Sequence, residues 1–164
     1  MTSYRIRPAV LADLEWLARC NDAMALETED KRLDADTLKA GIGQALADDG
    51  KARYFIAMRD ASLAGAETIG IPVGTLMLTT EWSDWRNGDW WWIQSVYVLP
   101  EHRRQGVYAS LYRHVERIAR ETDGVIGLRL YVETENENAM ATYTALGMRD
   151  AGYRLFESEF ADRA

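Results

Sequence analysis

The chain passes from a strand to a helix through one basic loop, in the stretch Val98-Leu99-Pro100-Glu101-His102-Arg103-Arg104-Gln105-Gly106-Val107-Tyr108-Ala109. Pro100 ends the strand, and a helix is expected to run from Gly106. The first amides of a helix have no acceptor within the helix, and the helix dipole makes that end positive. A glycine lets a phosphate group approach the backbone, and two arginines add charged donors. The stretch therefore predicts a pyrophosphate site, although an ordinary solvated helix cap fits the same residues.

Strand and helix patterns continue on both sides of this loop. Before it, the residue spacing predicts a strand at 4–7, helices at 10–24 and about 34–48, and a meander at 54–58, 73–80 and 90–98. After it, the spacing predicts a helix at 106–120, a strand at 127–132, a helix at 138–146 and a last strand at 153–160. The order β-α-α-β-β-β-α-β-α-β excludes a simple doubly wound sheet. It predicts a mixed α/β (α+β) sheet in which strands 90–98 and 127–132 are parallel neighbours.

Two connections carry their own turn and cap signals. Asn87-Gly88 is typical of a tight turn with two positive φ angles, and residues 60–72, rich in Gly and Ala, are expected to form a long hairpin tip. Either Asp34 or Asp36 can cap the second helix.

Length and composition indicate one globular domain over residues 1–164. The chain is 48% hydrophobic and 27% charged, which argues against a disordered or fibrous protein. Its net charge of −7 argues against nucleic-acid binding, which depends on Lys and Arg. No apolar run approaches the ~20 residues of a membrane span, and the N-terminus lacks a signal pattern. We therefore expect a cytoplasmic protein without nucleic-acid or membrane partners.

Cys20 is the only cysteine in the chain. It can form no intramolecular disulfide and no cysteine-based metal site, and we expect neither a metal nor a cysteine nucleophile. Its apolar helical surroundings predict a small core residue.

The basic loop resembles the phosphate-binding signature of the GCN5-related N-acetyltransferase (GNAT) family, [RQ]-x-x-G-x-[GA]. Arg103, Arg104, Gln105 and Gly106 match it, whereas Tyr108 stands where Gly or Ala is usual. The resemblance implies a GNAT-like fold and acetyl-CoA as co-substrate. It also implies that the amides of 105–109, which include Val107 and Ala109, hold the pyrophosphate. Val96 and Val98 are then expected to pair their backbone with the pantetheine arm.

A second match lies at 136–148 and resembles the family element N-x-x-A-x-x-x-Y-x-x-x-G-[FM]. Asn136, Ala139, Tyr143, Gly147 and Met148 occupy its positions, and the resemblance implies that Asn136 and Tyr143 contact the co-substrate. Taken alone, Asn136 could be a helix cap and Tyr143 a core aromatic residue. Two motifs in the family's order support the assignment over nearly the whole chain.

The resemblance implies direct transfer, in which an amine attacks the thioester carbonyl and an oxyanion forms before the thiolate leaves. Val98 N–H is the candidate oxyanion donor. Tyr143 is the candidate general acid, because a phenol with a pKa of about 10 is protonated at neutral pH.

No carboxylate on the central strand offers itself as general base. Gln94 stands there and could orient a water molecule. Glu27, Glu29, Glu81 and Asp84 are the candidate acceptor-side carboxylates, although each also fits a solvated surface charge. The tryptophans between Trp82 and Trp92 could line an amine pocket, pack the hairpin or form a homodimer interface.

Three functions fit these observations. The first is an acetyl-CoA-dependent N-acetyltransferase that acts on a primary amine of a small molecule or a peptide. The second is a catalytically silent acyl-CoA sensor or partner module, and the third is transfer of a longer acyl chain.

Overall fold

The computed structural model describes residues 4–61 and 69–160. The strands are β1 (Tyr4–Pro8), β2 (Arg53–Ala61), β3 (Ile69–Ser83), β4 (Gly88–Val98) and β5 (Val125–Leu130), and the α-helices are α1 (Leu14–Glu29), α2 (Ala35–Ala47), α3 (Val107–Glu121) and α4 (Glu137–Ala145). Short 3₁₀ turns lie at Leu11–Asp13 and Pro100–His102. The chain divides between Tyr131 and Val132 into two compact units. A single domain over residues 1–164 stays a prediction.

The first unit is built on one mixed sheet with the strand order β1-β2-β3-β4-β5. All neighbouring strands are antiparallel except β4 and β5, which are parallel. The predicted β-α-β unit is therefore confirmed, with α3 as its crossover helix. A parallel pair needs such a crossover, because a tight turn can only reverse the chain.

Side chains that alternate along β2 fill two separate cores. Tyr54 and Ile56 pack with Leu17 of α1 and Ile42 of α2. Phe55 points to the opposite face, where its ring lies 5.4 Å from the ring of His114 on α3. Helices α1 and α2 therefore cover one face of the sheet and α3 covers the other.

Cys20 lies in the buried part of α1, as predicted, with 2% of its surface exposed. Burial raises the pKa of its thiol to about 12, so the thiol stays protonated at neutral pH. It has the properties of a core residue and not those of a nucleophile.

Of the two predicted caps for α2, the structure uses Asp34. Its Oδ1 accepts the Thr37 amide at 2.8 Å, and the helix begins at Ala35.

We expect Asp34→Ala to lower the free energy of unfolding, because the Thr37 amide loses its acceptor. Urea unfolding would measure this loss. Asp34→Asn keeps an acceptor oxygen and is the matched control. An unchanged unfolding midpoint in Asp34→Ala would contradict the role of this cap.

The β3–β4 turn differs from the prediction. It spans four residues, 84–87, and only Asn87 has a positive φ, of 44°. Gly88 already pairs with Ser83 as the first residue of β4. A Cβ at Gly88 would lie 2.7 Å from the carbonyl oxygen of Gly124, so this glycine permits close approach to the turn before β5. Of the predicted hairpin tip at 60–72, residues 62–68 lie outside the described residues, and β2 and β3 extend into the remainder.

The structure also differs at the last predicted strand, 153–160. These residues have no strand pairing, and Tyr153 and Phe156 are 87% and 88% exposed. The alternating aromatic and aliphatic residues produced the prediction, but a strand also requires a neighbouring backbone for its hydrogen bonds.

Candidate functional site

The predicted anion site lies where the loop after β4 enters α3. Gly106 is the N-cap residue, with a left-handed φ of 84°, and no side chain caps the helix. Arg104, two residues earlier, also has a positive φ, of 60°. The described part of the chain offers no backbone acceptor to the amides of Gln105, Gly106 or Val107. These N–H groups are therefore available to an anion at the positive end of a 15-residue helix.

Gly106 is suited to this position by its conformation and by the space beside it. A Cβ built there would have no heavy atom within 4 Å. The left-handed conformation disfavours residues with a side chain, and the open space would admit a diphosphate against the backbone. Tyr108 replaces a small residue of the family signature. Its ring lies 6.2 Å from that of Tyr112, one turn further along α3.

A bulge in β4 changes its pairing just before this loop. Met77 of β3 pairs with Ser95 and Leu78 pairs with Ile93, so Gln94 is the extra residue. The Gln94 side chain donates from Nε2 to Thr79 Oγ1 at 2.8 Å. On the other side of β4, pairing with β5 ends at Ile93 and Leu130.

The residues after this bulge present amides on the edge that faces away from β3. Leu99 donates its N–H to Val73 O on β3 at 3.0 Å. Successive amides of a strand point to opposite edges, so the N–H groups of Val98 and Val96 point away from β3. They lie beyond the end of the β4–β5 ladder. This unpaired edge of β4 could accept an extended ligand as a further strand would.

Arg103 connects this edge to α1. Its Nε donates to Val98 O at 3.0 Å, and its Nη2 donates to Glu27 Oε2 at 2.6 Å. Tyr97 OH donates to the other Glu27 oxygen at 2.7 Å. We call Glu27, Tyr97 and Arg103 the Glu27 cluster. The two donors hold the pKa of Glu27 below its usual value, and burial together with the Glu27 carboxylate raises the pKa of Tyr97 to about 12.

The other three predicted carboxylates lie in different surroundings. Glu29 ends α1 and pairs with Lys31 at 2.7 Å, where both side chains are exposed. Asp84 lies in the β3–β4 turn and accepts the Trp85 amide. Glu81 on β3 is half-exposed; it pairs with Arg129 at 2.9 Å and accepts a hydrogen bond from Trp92 Nε1. The structure therefore does not bring the four carboxylates together.

The tryptophans of the β3–β4 hairpin separate into packed and exposed side chains. Trp91 is buried under the Arg53 guanidinium, 3.8 Å from the ring centroid. Trp92 stacks on Tyr131 with 4.5 Å between the ring centroids. Trp82 and Trp85 are 62% and 88% exposed. Hairpin packing therefore explains part of the tryptophan content, and the two exposed residues are the ones left for a partner.

The second unit contains the remaining two predicted residues. Asn136 is the N-cap of α4, and its Oδ1 accepts the Ala139 amide at 3.0 Å. This contact is the capping role that the sequence left open. Tyr143 lies in the same helix, and burial raises the pKa of its phenol. The phenol is therefore protonated at neutral pH, as a proton donor must be.

Tyr97 is the residue of the Glu27 cluster that the sequence did not single out. Alternation along β4 gives the available signal, because Tyr97 must face opposite to Val96 and Val98. Its partners Glu27 and Arg103 are 70 and 6 positions away in the chain, and no local pattern joins them.

Among the described residues, no helix is long and apolar enough to cross a bilayer. In that same part of the chain, no three His, Cys, Asp or Glu side chains are grouped to hold a metal ion.

Comparisons with known proteins agree with this architecture. A crystal structure of a possible acetyltransferase from Clostridium difficile 630 is 40% identical, aligns over 96% of this chain and 97% of its own, and has a TM-score of 0.83. An aminoglycoside N-acetyltransferase solved with CoA is 18% identical, aligns over 97% of this chain and 96% of its own, and has a TM-score of 0.74. This second likeness concerns the fold alone.

Two sequence comparisons concern the family, and the match to the family model identifies it. Thialysine N-epsilon-acetyltransferase of Bos taurus is 35% identical over 91 residues, which are 53% of this chain and 52% of the bovine protein. The match therefore spans about half the length of that relative. The model of the acetyltransferase (GNAT) family matches residues 14–148, from α1 to the end of the second motif. The chain belongs to the GNAT acetyltransferase family.

Proposed function

We propose that this protein is an acetyl-CoA-dependent N-acetyltransferase that acts on a primary amine of a small molecule or a peptide. The observation that carries the proposal is the left-handed, uncapped start of α3 at Gly106. The amides of Gln105, Gly106 and Val107 have no backbone acceptor among the described residues, the space beside the Gly106 Cα is open, and the edge of the preceding strand is unpaired. A diphosphate and an extended pantetheine arm have the chemistry that fits these two neighbouring surfaces.

The residues that would hold the co-substrate follow from this geometry. The amides of 105–109 would bind the pyrophosphate, with the exposed Arg104 adding charge. Backbone groups of Val96 would bind the pantetheine amides, together with the Val98 carbonyl, whose oxygen can accept a second hydrogen bond beside that from Arg103 Nε. Acetyl-CoA supplies an acetyl group activated as a thioester. Fixed backbone donors need little ordering when they bind, which favours affinity.

Three residues have proposed roles in the transfer. The Val98 amide points to the unpaired edge of β4, where it can donate to a developing oxyanion. Tyr143 would protonate the departing thiolate, and Gln94 would orient a water that carries the amine proton to a carboxylate. Glu29, Glu81 and Asp84 are the candidate carboxylates. Glu27 has a donor on each oxygen and a lowered pKa, both of which weaken it as a base.

The amine acceptor class is proposed from chemistry and from the relatives' names. Thialysine and aminoglycosides both carry primary amines, and the net charge of −7 suits a cationic acceptor. We also propose a cytoplasmic location and a homodimer, the latter because Trp82 and Trp85 are large apolar side chains exposed near the hairpin tip.

A panel of amines tests the activity. With acetyl-CoA and polyamines, aminoglycosides, lysine analogues and peptides, we expect CoA thiol to be released with at least one class of acceptor. Acyl-CoA esters of increasing chain length would distinguish acetyl transfer from longer acyl transfer.

The second candidate function is a catalytically silent acyl-CoA sensor. It is favoured by Gln94, because the central strand carries this amide where a general base would need a carboxylate. CoA binding without thiol release across the panel would support the sensor and contradict the enzyme.

A further inference from the structure

The Glu27 cluster gives Arg103 contacts that the phosphate-loop signature does not suggest. Arg103 precedes the anion site by three residues, yet its guanidinium is bound to protein on two sides. One side donates to the Val98 carbonyl at the edge of β4, and the other to Glu27 near the end of α1. The guanidinium carbon also lies 5.5 Å from the centroid of the Tyr97 ring.

Glu27 is equally committed within this cluster. One carboxylate oxygen accepts from Tyr97 OH and the other accepts from Arg103. Tyr97 is itself 7% exposed, so its hydroxyl is held in place by the packing of β4. The carboxylate therefore provides a fixed acceptor that orients the Arg103 side chain.

We infer that Arg103 and Glu27 are positioning residues for the pyrophosphate site and bind neither phosphate nor amine directly. Through its side chain, Arg103 anchors the start of the loop 103–106 to the β4 edge and to α1. The following residues then take the left-handed conformations at Arg104 and Gly106 that leave the amides available. The inference rests on the proposed function, since it assigns a role within that co-substrate site.

Removing Glu27 distinguishes a positioning role of Arg103 from direct phosphate binding, because the two roles predict opposite changes in CoA affinity. If Arg103 binds phosphate, removal of Glu27 would release the guanidinium, and CoA affinity would be unchanged or higher. If Arg103 only positions the loop, removal of Glu27 loosens the loop, and CoA affinity falls.

A double-mutant cycle on CoA binding by calorimetry tests this inference. We expect Glu27→Ala and Arg103→Ala each to weaken CoA binding about tenfold, the size of one charge-assisted hydrogen bond. The CoA affinity of the double variant should also fall about tenfold and not a hundredfold, because both residues act through one contact. Glu27→Gln keeps an acceptor oxygen and should recover part of the loss.

The matched control is Glu116→Ala on α3. It removes the carboxylate from another arginine pair, Glu116–Arg120 at 2.8 Å, which lies more than two turns after Gly106. Its CoA affinity should equal that of the unaltered chain. Circular dichroism and urea unfolding identify variants that fail to fold, and Glu27→Gln keeps the test decisive if Glu27→Ala is one of them.

Steady-state kinetics separate positioning from contact with the amine. Glu27→Gln should raise the KM for acetyl-CoA several-fold and leave kcat and the KM for the amine nearly unchanged. A steep fall in kcat, or a higher KM for the amine, would show that Glu27 acts on the acceptor and would overturn the inference.

The two proposals fail in different ways. If the unaltered chain binds no CoA, the proposed function is wrong, and the inference is wrong with it. If the unaltered chain binds CoA and folded Glu27→Ala and Glu27→Gln bind it equally well, only the positioning inference is overturned.

Discussion

Replacing Gly106 with aspartate is expected to weaken CoA binding by roughly 10²- to 10³-fold. Gly106 has a φ of 84°, and its missing Cβ faces open space beside the free amides. An aspartate would place a negative charge in that space, next to the proposed diphosphate site. Two like charges about 4 Å apart near a protein surface repel by about 4 kcal/mol, which sets the upper end of this range.

Gly106→Asn is the matched control, because asparagine has the shape of aspartate without its charge. Both residues tolerate the left-handed conformation better than other non-glycine residues do. We expect Gly106→Asn to lose about tenfold or less in CoA affinity, measured by calorimetry. Equal affinities for the two variants would contradict an anion site at this helix start. Wild-type affinity in a folded Gly106→Asp variant would remove the site altogether.

Tyr143→Phe is expected to lower kcat by about 10²-fold while the dissociation constant for CoA changes little. General acid catalysis contributes about 10²- to 10⁴-fold, and phenylalanine keeps the ring but cannot donate a proton. Burial raises the pKa of Tyr143, so the wild-type phenol is protonated throughout the neutral range. Single-turnover measurement of thiol release, together with CoA calorimetry, would separate turnover from binding.

Tyr153→Phe is the control for this substitution. Tyr153 lies in the same unit, is 87% exposed and has no proposed role. Its kcat should remain at the wild-type value. Equal kcat values for Tyr143→Phe and the unaltered chain would exclude the acid role.

Helix and strand order could be predicted closely, because the signals for it are local. The spacing of Leu111, Val115 and Ala119 gives α3 one buried face, and Pro100 ends the strand before it. The parallel pairing of β4 and β5 then follows from chain connectivity. The two main differences are the last strand and the form of the Asn87-Gly88 turn, and β2 and β3 also extend into the predicted hairpin tip at 60–72.

Those two differences have the same physical origin. A strand forms only where another backbone completes its hydrogen bonds, and the β-favourable residues of 153–160 form no strand. At Gly88, the need for close approach to Gly124 outweighs the local turn preference. Both outcomes depend on a distant segment, which local sequence does not specify.

The candidate anion site could be predicted from the amino-acid sequence because all its parts are contiguous. Backbone amides at a helix start need no distant partner, and the glycine that would admit a phosphate is part of the same loop. The roles of Arg103 and Glu27 were not accessible in this way. Each has the chemistry of a ligand-binding residue, and only the folded chain brings them together with Tyr97 across 76 positions. The role of a side chain depends on the partners that the fold places beside it. Here the packing of α1 against β4 places Glu27 beside Tyr97 and Arg103.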